Sequence, residues 1–238
     1  MAQTDSPLGE IREFYDFLGD VVPDQINSTI STDATVAVLA GGIGGVMRVH
    51  VHDGDNETSM TAGEVIYEPS MGYLSLEVRA RPDAINDIAY GIGFTDAKTE
   101  SAGTMPVHFN VNGCDALTTT TSTGAGFVFD VHSASDVIFA WAVDGDSDHA
   151  CTPASLTDAP TAAPYRTYKV ELHDQGCGNK ARAEFYLCGE HKKTMTSAIT
   201  RGTNLTWYVA AQSRAACGNP NLDVDYIDVR ASRGSSTA

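Results

Sequence analysis

Basic residues and long apolar runs are scarce in this sequence. Of its 238 residues, 15 are Lys or Arg and 31 are Asp or Glu, which gives a formal net charge of -16. Such an excess of negative charge repels phosphate backbones and anionic lipid surfaces. The longest apolar stretches, such as Val36 to Leu39 and Ile138 to Val143, fall far short of the roughly 20 residues that a membrane helix needs. We therefore expect neither nucleic acid nor a membrane as a partner.

An export signal and an even set of cysteines are also missing. The opening MAQTDSPLGE has no basic region and no apolar core, so no signal peptide is predicted and the chain is expected in the cytosol or in a particle assembled there. Cys177 and Cys188 lie at opposite ends of a predicted strand, and about 11 residues at roughly 3.3 Å each exceed the roughly 7 Å that a disulfide spans. No zinc-type Cys/His spacing occurs. Free thiols are predicted for all five cysteines: Cys114, Cys151, Cys177, Cys188 and Cys217.

Helical periodicity is almost absent, and the only helical candidates are Ile11 to Leu18 and Ala154 to Leu156. Short runs of β pattern recur instead about every 10 residues, between clusters of Gly, Asn, Asp, Ser and Thr. In Tyr73 to Arg81, apolar and polar residues alternate as in a strand with one buried face. The apolar parity of the last run, Leu222 to Ala231, changes midway, which indicates a bulge or a strand buried on both faces. The pattern predicts a one-domain, all-β sandwich or barrel. Similar runs are Gly45 to His52, Asp87 to Thr95, Gly126 to Val131, Val137 to Val143, Thr167 to His173, Ala181 to Leu187 and Thr206 to Gln212.

Three polar clusters offer candidate ligand sites, each with a simpler structural reading. Gly41 to Gly45 lacks the Lys-Ser/Thr of a phosphate loop and precedes a strand, so a turn is expected. Asp144, Asp146 and Asp148 could supply oxygen ligands to calcium but lack the glycine and terminal Glu of an EF-hand, and a solvated turn is the alternative. Asp53 to Glu57 is a second cluster of this kind. His50 and His52 point to one face of a strand without a visible third ligand, so no metal and no cofactor are predicted.

The aromatic residues leave two readings open. Trp141, Trp207 and the nine tyrosines could form a platform on which sugar rings stack, or they could fill the core of a sandwich, which is the commoner use of such residues.

Several segments, taken in order, resemble the concanavalin A-like, laminin-G-like jelly-roll domains of tailed-phage structural proteins. Phe14 to Asp20 resembles their aromatic and acidic opening strand, and Leu74 to Arg81 resembles a central strand. Tyr168 to Leu172 and Ala183 to Gly189 resemble their hairpin, with Cys188 where Asp is commoner, and Leu222 to Val229 resembles their closing strand. The resemblance implies a two-sheet antiparallel jelly roll over residues 14–233, with an N-terminal arm at 1–13 and a C-terminal tail at 234–238.

The resemblance implies a non-enzymatic virion surface protein, such as a capsid decoration or head-fibre protein, assembled in the host cytoplasm. Its expected partner is the major capsid protein or another virion protein, bound through Pro7, Ile11, Phe14 and Phe17, in a homo-oligomer that could be a trimer. A carbohydrate-binding adhesin with a surface glycan as ligand is the alternative. Glycoside hydrolases of this fold carry a Glu-x-Asp-x-Glu strand. Its absence here, where the nearest alternation is Asp223 and Asp225, predicts that the chain is not an enzyme.

Overall fold

The fold consists almost entirely of antiparallel strands. The computed structural model describes residues 9–31, 33–39, 44–52, 54, 56–64, 66–97, 105–109, 117–145, 153–162, 164–176, 178–214 and 218–232. In these ranges the only helical element is a 3-10 turn at Pro69–Met71, and no helix there is long and apolar enough to cross a membrane. The strands are β1 Glu10–Tyr15, β2 Ile26–Ile30, β3 Thr35–Val38, β4 Met47–His50, β5 Thr58–Gly63, β6 Tyr73–Pro82, β7 Ile88–Thr95, β8 Val107–Phe109, β9 Leu117–Thr119, β10 Thr123–Asp130, β11 Phe139–Asp144, β12 Ala154–Ser155, β13 Arg166–Asp174, β14 Lys180–Leu187, β15 Glu190–Thr200, β16 Thr206–Ser213 and β17 Asn221–Ser232.

Two large sheets form a sandwich. Sheet A has eight strands in the order β15-β14-β13-β6-β17-β4-β3, with β1 also paired to β17. Sheet B has seven strands in the order β12-β11-β10-β7-β16-β5-β2, and β8 and β9 form a separate hairpin. The predicted two-sheet antiparallel jelly roll is confirmed.

The main core lies between the two sheets. In β6, Leu74, Leu76, Val78 and Ala80 are fully buried, which confirms the alternation in the sequence. Sheet B contributes large side chains to the same core, among them Phe94, Phe127 and Trp207. Because apolar residues of both sheets meet there, the long strands other than the edge strand β15 have at least one buried face.

The outer face of sheet B is buried as well. A second apolar cluster joins residues of that face, such as Val128, Trp141 and Tyr208, to Val107 and Phe109 of the β8–β9 hairpin. Each of the strands β7, β10 and β16 has eight residues, and all of them are therefore buried.

An ion pair with almost no exposure fastens the β8–β9 hairpin to sheet B. Asp130 lies at the end of β10 and Arg214 follows β16, and their side chains are 0% and 1% exposed. Asp130 accepts the backbone N–H of Phe109 at 3.0 Å, while Arg214 donates to the Phe109 carbonyl at 3.3 Å and to Asn56 at 2.8 Å. Each charge is thus both paired and hydrogen-bonded, as burial requires.

The N-terminal region differs from the sequence prediction. The helix expected at Ile11 to Leu18 is wrong: residues 10–15 form β1, which pairs with β17 in the register Glu10↔Ser232 to Tyr15↔Ile227. Pairing with a neighbouring strand outweighs the weak local preference. Residues 10–13, predicted to lie in an arm, therefore belong to sheet A. The other helical candidate is also wrong, because Ala154–Ser155 is the edge strand β12.

Two local irregularities of the sequence have clear structural causes. The parity change in β17 is a bulge, seen as a register shift against β6 between Val224 and Tyr226. The β14–β15 hairpin turns at Cys188 and Gly189, which both have positive φ (53° and 80°), the geometry that usually selects Asn-Gly or Asp-Gly. Cys188 is exposed and free. The other four cysteines lie outside the described residues.

Candidate functional site

The basic residues of this acidic chain are concentrated on sheet A. No strand of sheet B contains a Lys or Arg, whereas eleven of the fifteen basic residues lie in strands of sheet A. The same strands carry ten Asp and Glu residues, so sheet A is close to neutral although the chain has a net charge of -16. The eleven are Arg12 in β1, Arg48 in β4, Arg79 and Arg81 in β6, Arg166 and Lys169 in β13, Lys180 and Arg182 in β14, Lys192 and Lys193 in β15, and Arg230 in β17.

The tyrosines divide between the core and this same face. Both tryptophans are fully buried, and five of the nine tyrosines are buried too: Tyr15, Tyr67, Tyr90, Tyr168 and Tyr208. The four that keep solvent exposure, Tyr73, Tyr165, Tyr186 and Tyr226, lie on or beside strands of sheet A. Each of the four is partly exposed at the polar outer face and also contacts a neighbouring side chain, for example Arg81 at Tyr165 and Lys169 at Tyr186.

Two glutamates oppose each other directly on this face, on the adjacent strands β13 and β14 near the β15 edge. In the β13–β14 register Glu171 is the cross-strand partner of Glu184, and both side chains are largely covered. Like charges at directly opposed positions destabilise a sheet. Two carboxylates in this position therefore need neighbours that compensate their charge, and the side chains around them supply hydrogen bonds and cations.

Tyrosine hydroxyls hold the two carboxylates. Tyr73 donates to Glu171 at 3.1 Å, and Tyr186 donates to Glu184 at 2.7 Å. The pKa of Tyr73 is raised mainly by burial. The pKa of Tyr186 is raised mainly by its hydrogen bond to Glu184. The two rings therefore remain neutral and keep their positions beside the carboxylates. We call Tyr73, Glu171, His173, Glu184 and Tyr186 the carboxylate-pair site.

Cations offset the repulsion between the two carboxylates. Lys169 pairs with Glu171, and Arg182 pairs with Glu184 at 3.0 Å. His173 Nε2 lies 3.2 Å from Glu171 and 3.9 Å from Glu184. Burial opposes ionisation of Glu171, but the hydrogen bonds and charge of its neighbours, above all Lys169, outweigh it and lower its pKa.

The same cluster has the composition of a metal site. Glu171, His173 and Glu184 offer three ligand atoms that lie within 4.8 Å of one another. Lys169 and Arg182 already contact the two carboxylates, so a cation would have to displace both. The two carboxylates are already hydrogen-bonded and paired with cations. They are therefore better arranged to accept hydrogen bonds from hydroxyl groups than to bind a metal ion.

Sequence reasoning did not single out this site. The pair comes from two strands, and its register depends on the number of residues in the turn between β13 and β14, which the alternation alone does not fix. The available signal was the polar side of two adjacent strands, Lys169, Glu171 and His173 in one and Arg182 and Glu184 in the other.

The candidate partner-binding residues occupy positions inside the chain's own fold. Phe17 is 3% exposed and belongs to the main core, and Ile11 packs against that core. Phe14 lies on the outer side of β1, 6.0 Å from the ring of Tyr226 and beneath the guanidinium of Arg12. Phe17 is thus buried, whereas Ile11 and Phe14 are only partly buried, and binding of a partner through these residues stays a prediction. Pro7 lies outside the described residues.

The candidate calcium residues are only partly described. Asp144 ends β11, accepts the backbone N–H of Thr200 at 2.8 Å and pairs with Lys180. Its carboxylate thus connects sheet B to sheet A. Asp146 and Asp148 lie outside the described residues.

Asp223, Asp225 and His50, which the sequence singled out, lie on sheet A. Asp223 and Asp225 pair with arginines of the outer face, and His50 contacts the side-chain oxygen of Asn221 at 2.8 Å. The prediction that the two histidines share one face of a strand is wrong, because His52 lies beyond the end of β4.

Comparison with known proteins identifies similar folds but no similar sequence. No protein-family model matches the chain, and no curated protein matches it in sequence. Among solved structures, the carbohydrate recognition domain of Emp47p aligns with a TM-score of 0.61 at 11% identity, over 95% of this chain and 96% of that one. The endo-1,3-beta-glucanase of Streptomyces sioyaensis aligns at 0.58 and 14% identity, over 96% and 99%. The beta-glucanase of Bacillus licheniformis aligns at 0.57 and 13%, over 92% and 97%.

These likenesses correct the prediction that the chain is not an enzyme. The sequence cannot exclude an enzyme, and the prediction is wrong on this point. Several neighbours that share the fold over nearly their whole length are glucanases. At 10–14% identity the likeness shows the fold alone, and this fold is compatible with an enzyme. The chain also has a pair of carboxylates that oppose each other across two strands, Glu171 and Glu184.

Proposed function

We propose that this chain binds carbohydrate through the outer face of sheet A, at the carboxylate-pair site. The directly opposed Glu171 and Glu184, each held by a tyrosine hydroxyl, carry the proposal. Carboxylates accept hydrogen bonds from vicinal sugar hydroxyls, and aromatic rings cover the apolar faces of sugar rings. The Emp47p carbohydrate recognition domain, of the same fold, supports this function over a purely structural one.

Binding to an array of neutral and charged glycans tests the proposal. We expect at least one glycan to bind, with at least tenfold weaker affinity for Glu171→Gln, Glu184→Gln and Tyr186→Ala. Thr35→Ala, on the exposed side of edge strand β3, is the matched control and should bind as the wild type does. If no glycan binds, or if the three variants bind normally, the proposal fails.

Glycoside hydrolysis is a second candidate function. Retaining glycosidases use two carboxyl groups about 5 Å apart. The ligand atoms of Glu171 and Glu184 lie within 4.8 Å of one another, which favours this candidate. If it holds, reducing sugar is released from a β-glucan panel, and either Glu→Gln variant abolishes that release. Binding without release assigns the chain to the non-catalytic binding proteins.

The virion-surface function, with a capsid protein as partner, stays a prediction. Neither the fold nor the neighbours described above support it. Co-sedimentation with undecorated phage shells would test it directly.

A further inference from the structure

Two arginine–aspartate–arginine triads line β17. In the first, Arg48 donates to Asp223 through Nε at 2.7 Å and Nη2 at 3.0 Å, and Arg81 approaches the same carboxylate at 3.3 Å. The Asp223 side chain is 1% exposed, whereas Arg48 is 32% exposed. The carboxylate is therefore covered, and the guanidinium groups form the accessible surface.

The second triad repeats this arrangement further along the strand. Arg12 donates to Asp228 through Nε at 2.8 Å and Nη2 at 3.0 Å, and Arg230 donates to it through Nε at 3.1 Å and Nη2 at 2.6 Å. Asp228 is 8% exposed, while Arg12 and Arg230 are 41% and 44% exposed. Arg12, Arg48 and Arg230 all use Nε and Nη2 for the aspartate, which leaves Nη1 directed away from it.

Each triad has one arginine more than its aspartate needs. A single side-on guanidinium already satisfies a carboxylate with two hydrogen bonds. The second arginine adds a half-exposed positive charge to a chain of net charge -16, although Asp83 near Arg48 and Glu10 near Arg230 offset part of it. Once the first arginine pairs with the covered carboxylate, a second, partly exposed guanidinium adds only about 1 kcal/mol or less to stability.

The two triads form a linear array. Because β4 and β1 pair with successive halves of the same side of β17, Arg48 and Arg12 follow one another along it. Five positions separate Asp223 from Asp228, or about 15 Å at the rise of a strand. Between the triads, Arg79 pairs with Asp225, and Tyr165 stacks on Arg79 and Arg81 with its ring centre 4.9 and 4.6 Å from their guanidinium carbons.

We infer that this array binds an anionic polysaccharide whose carboxylate or sulfate groups pair with the outward guanidinium groups. The inference rests on the proposed carbohydrate-binding function and adds the class of ligand. Guanidinium groups bind planar or tetrahedral oxyanions through paired N–H donors. The spacing along β17 suits an extended polymer with repeated anionic groups rather than a single sugar acid.

Removing only the surplus arginine of each triad tests the inference without leaving a buried aspartate unpaired. In Arg81→Gln/Arg230→Gln, the side-on pairs Arg48–Asp223 and Arg12–Asp228 remain. Lys192→Gln/Lys193→Gln, on the far edge strand β15, makes the same change in net charge and is the matched control. Thermal melts establish that both variants fold. The probes are polygalacturonate, dextran sulfate, a neutral β-glucan and duplex DNA, each titrated over a range of salt concentrations.

We expect polygalacturonate or dextran sulfate to bind the wild type, and the arginine variant to bind at least tenfold more weakly, with a salt slope lower by about two. The control variant should bind as the wild type does. The preferred polymer then identifies the anionic group. If only the neutral glucan binds, or if the arginine variant binds normally, the inference is overturned and the proposed function stands. Equal affinity for DNA would also overturn it, by showing general polyanion binding. If no glycan of any kind binds, the proposed function itself fails.

Discussion

The outer faces of the two sheets differ in almost every physical property. On sheet A, strands such as β6 and β14 alternate between buried and partly exposed residues, and the exposed positions carry paired charges and tyrosines. On sheet B, strands such as β10 and β16 are buried on both sides, carry no basic residue, and are covered by the β8–β9 hairpin. One face is built to contact solvent and ligands, and the other is built to be covered.

Because of this difference, the net charge of the whole chain does not describe the local charge of sheet A. A value of -16 predicts repulsion of anions by the whole chain. Because the strands of sheet A have nearly equal numbers of acidic and basic residues, most of the surplus negative charge lies elsewhere. At physiological salt, charges more than about 8 Å away are largely screened, so the local balance on sheet A governs what binds there.

The largest expected effect concerns the covered face. Arg214→Met leaves Asp130 as an unpaired buried charge and removes the hydrogen bond to Phe109, so we expect a loss of about 3–5 kcal/mol in the free energy of unfolding. Urea denaturation measures it. Arg79→Met, which breaks an exposed pair on sheet A, should cost less than about 1 kcal/mol. Equal losses in the two variants would contradict the distinction between the faces.

A smaller effect is expected from the glycines of sheet B. A Cβ at Gly93 would lie 2.4 Å from the carbonyl oxygen of Ala125, in the backbone of the adjacent strand β10. Gly93→Ala should therefore destabilise the chain by about 1–3 kcal/mol through overpacking, measured as a lower midpoint in urea. Gly202→Ala is the control, because no atom lies within 4 Å of its Cβ position. A neutral Gly93→Ala would show that the backbones of β7 and β10 can separate locally without loss of stability.

The smallest effect concerns acid pH and sheet A. Burial opposes ionisation of Asp228, but the hydrogen bonds and charges of Arg12 and Arg230 outweigh it and lower its pKa. Ionised Asp228 therefore contributes stability above its unfolded pKa, and this contribution is lost as the pH falls through the folded pKa.

Asp228→Asn should accordingly flatten the stability profile below about pH 4, where an unfolded aspartate begins to protonate. The change should be about 1 kcal/mol or less, because the arginines are half exposed. Urea titrations at pH 7 and at pH 3 measure it, with Asp20→Asn, on an exposed loop, as the control. If the two variants have the same profile, the triad at Asp228 does not stabilise sheet A.

Much of the fold could be predicted from alternation and turn residues. The strand in Tyr73 to Arg81, the bulge in the last strand and the turn at Cys188 and Gly189 all follow from local patterns whose physical causes act within a few residues. The strands that were missed include β1 and β5. Their sequences carry Glu, Arg, Ser and Thr, so their formation depends on pairing with β17, β2 and β16 rather than on local preference.

The candidate sites could not be predicted in the same way. The sequence by itself determined that the chain alternates as a sandwich and that it is acidic. Only the tertiary structure decided which aromatic residues fill the core, that Glu171 opposes Glu184, and that Arg12 and Arg48 meet two aspartates of one strand from different parts of the chain. It also decided that eleven of the fifteen basic residues lie in strands of one sheet. The physical reason is register: cross-strand neighbours depend on turn lengths and on long-range pairing, and a shift of one residue would move every one of these side chains to the opposite face.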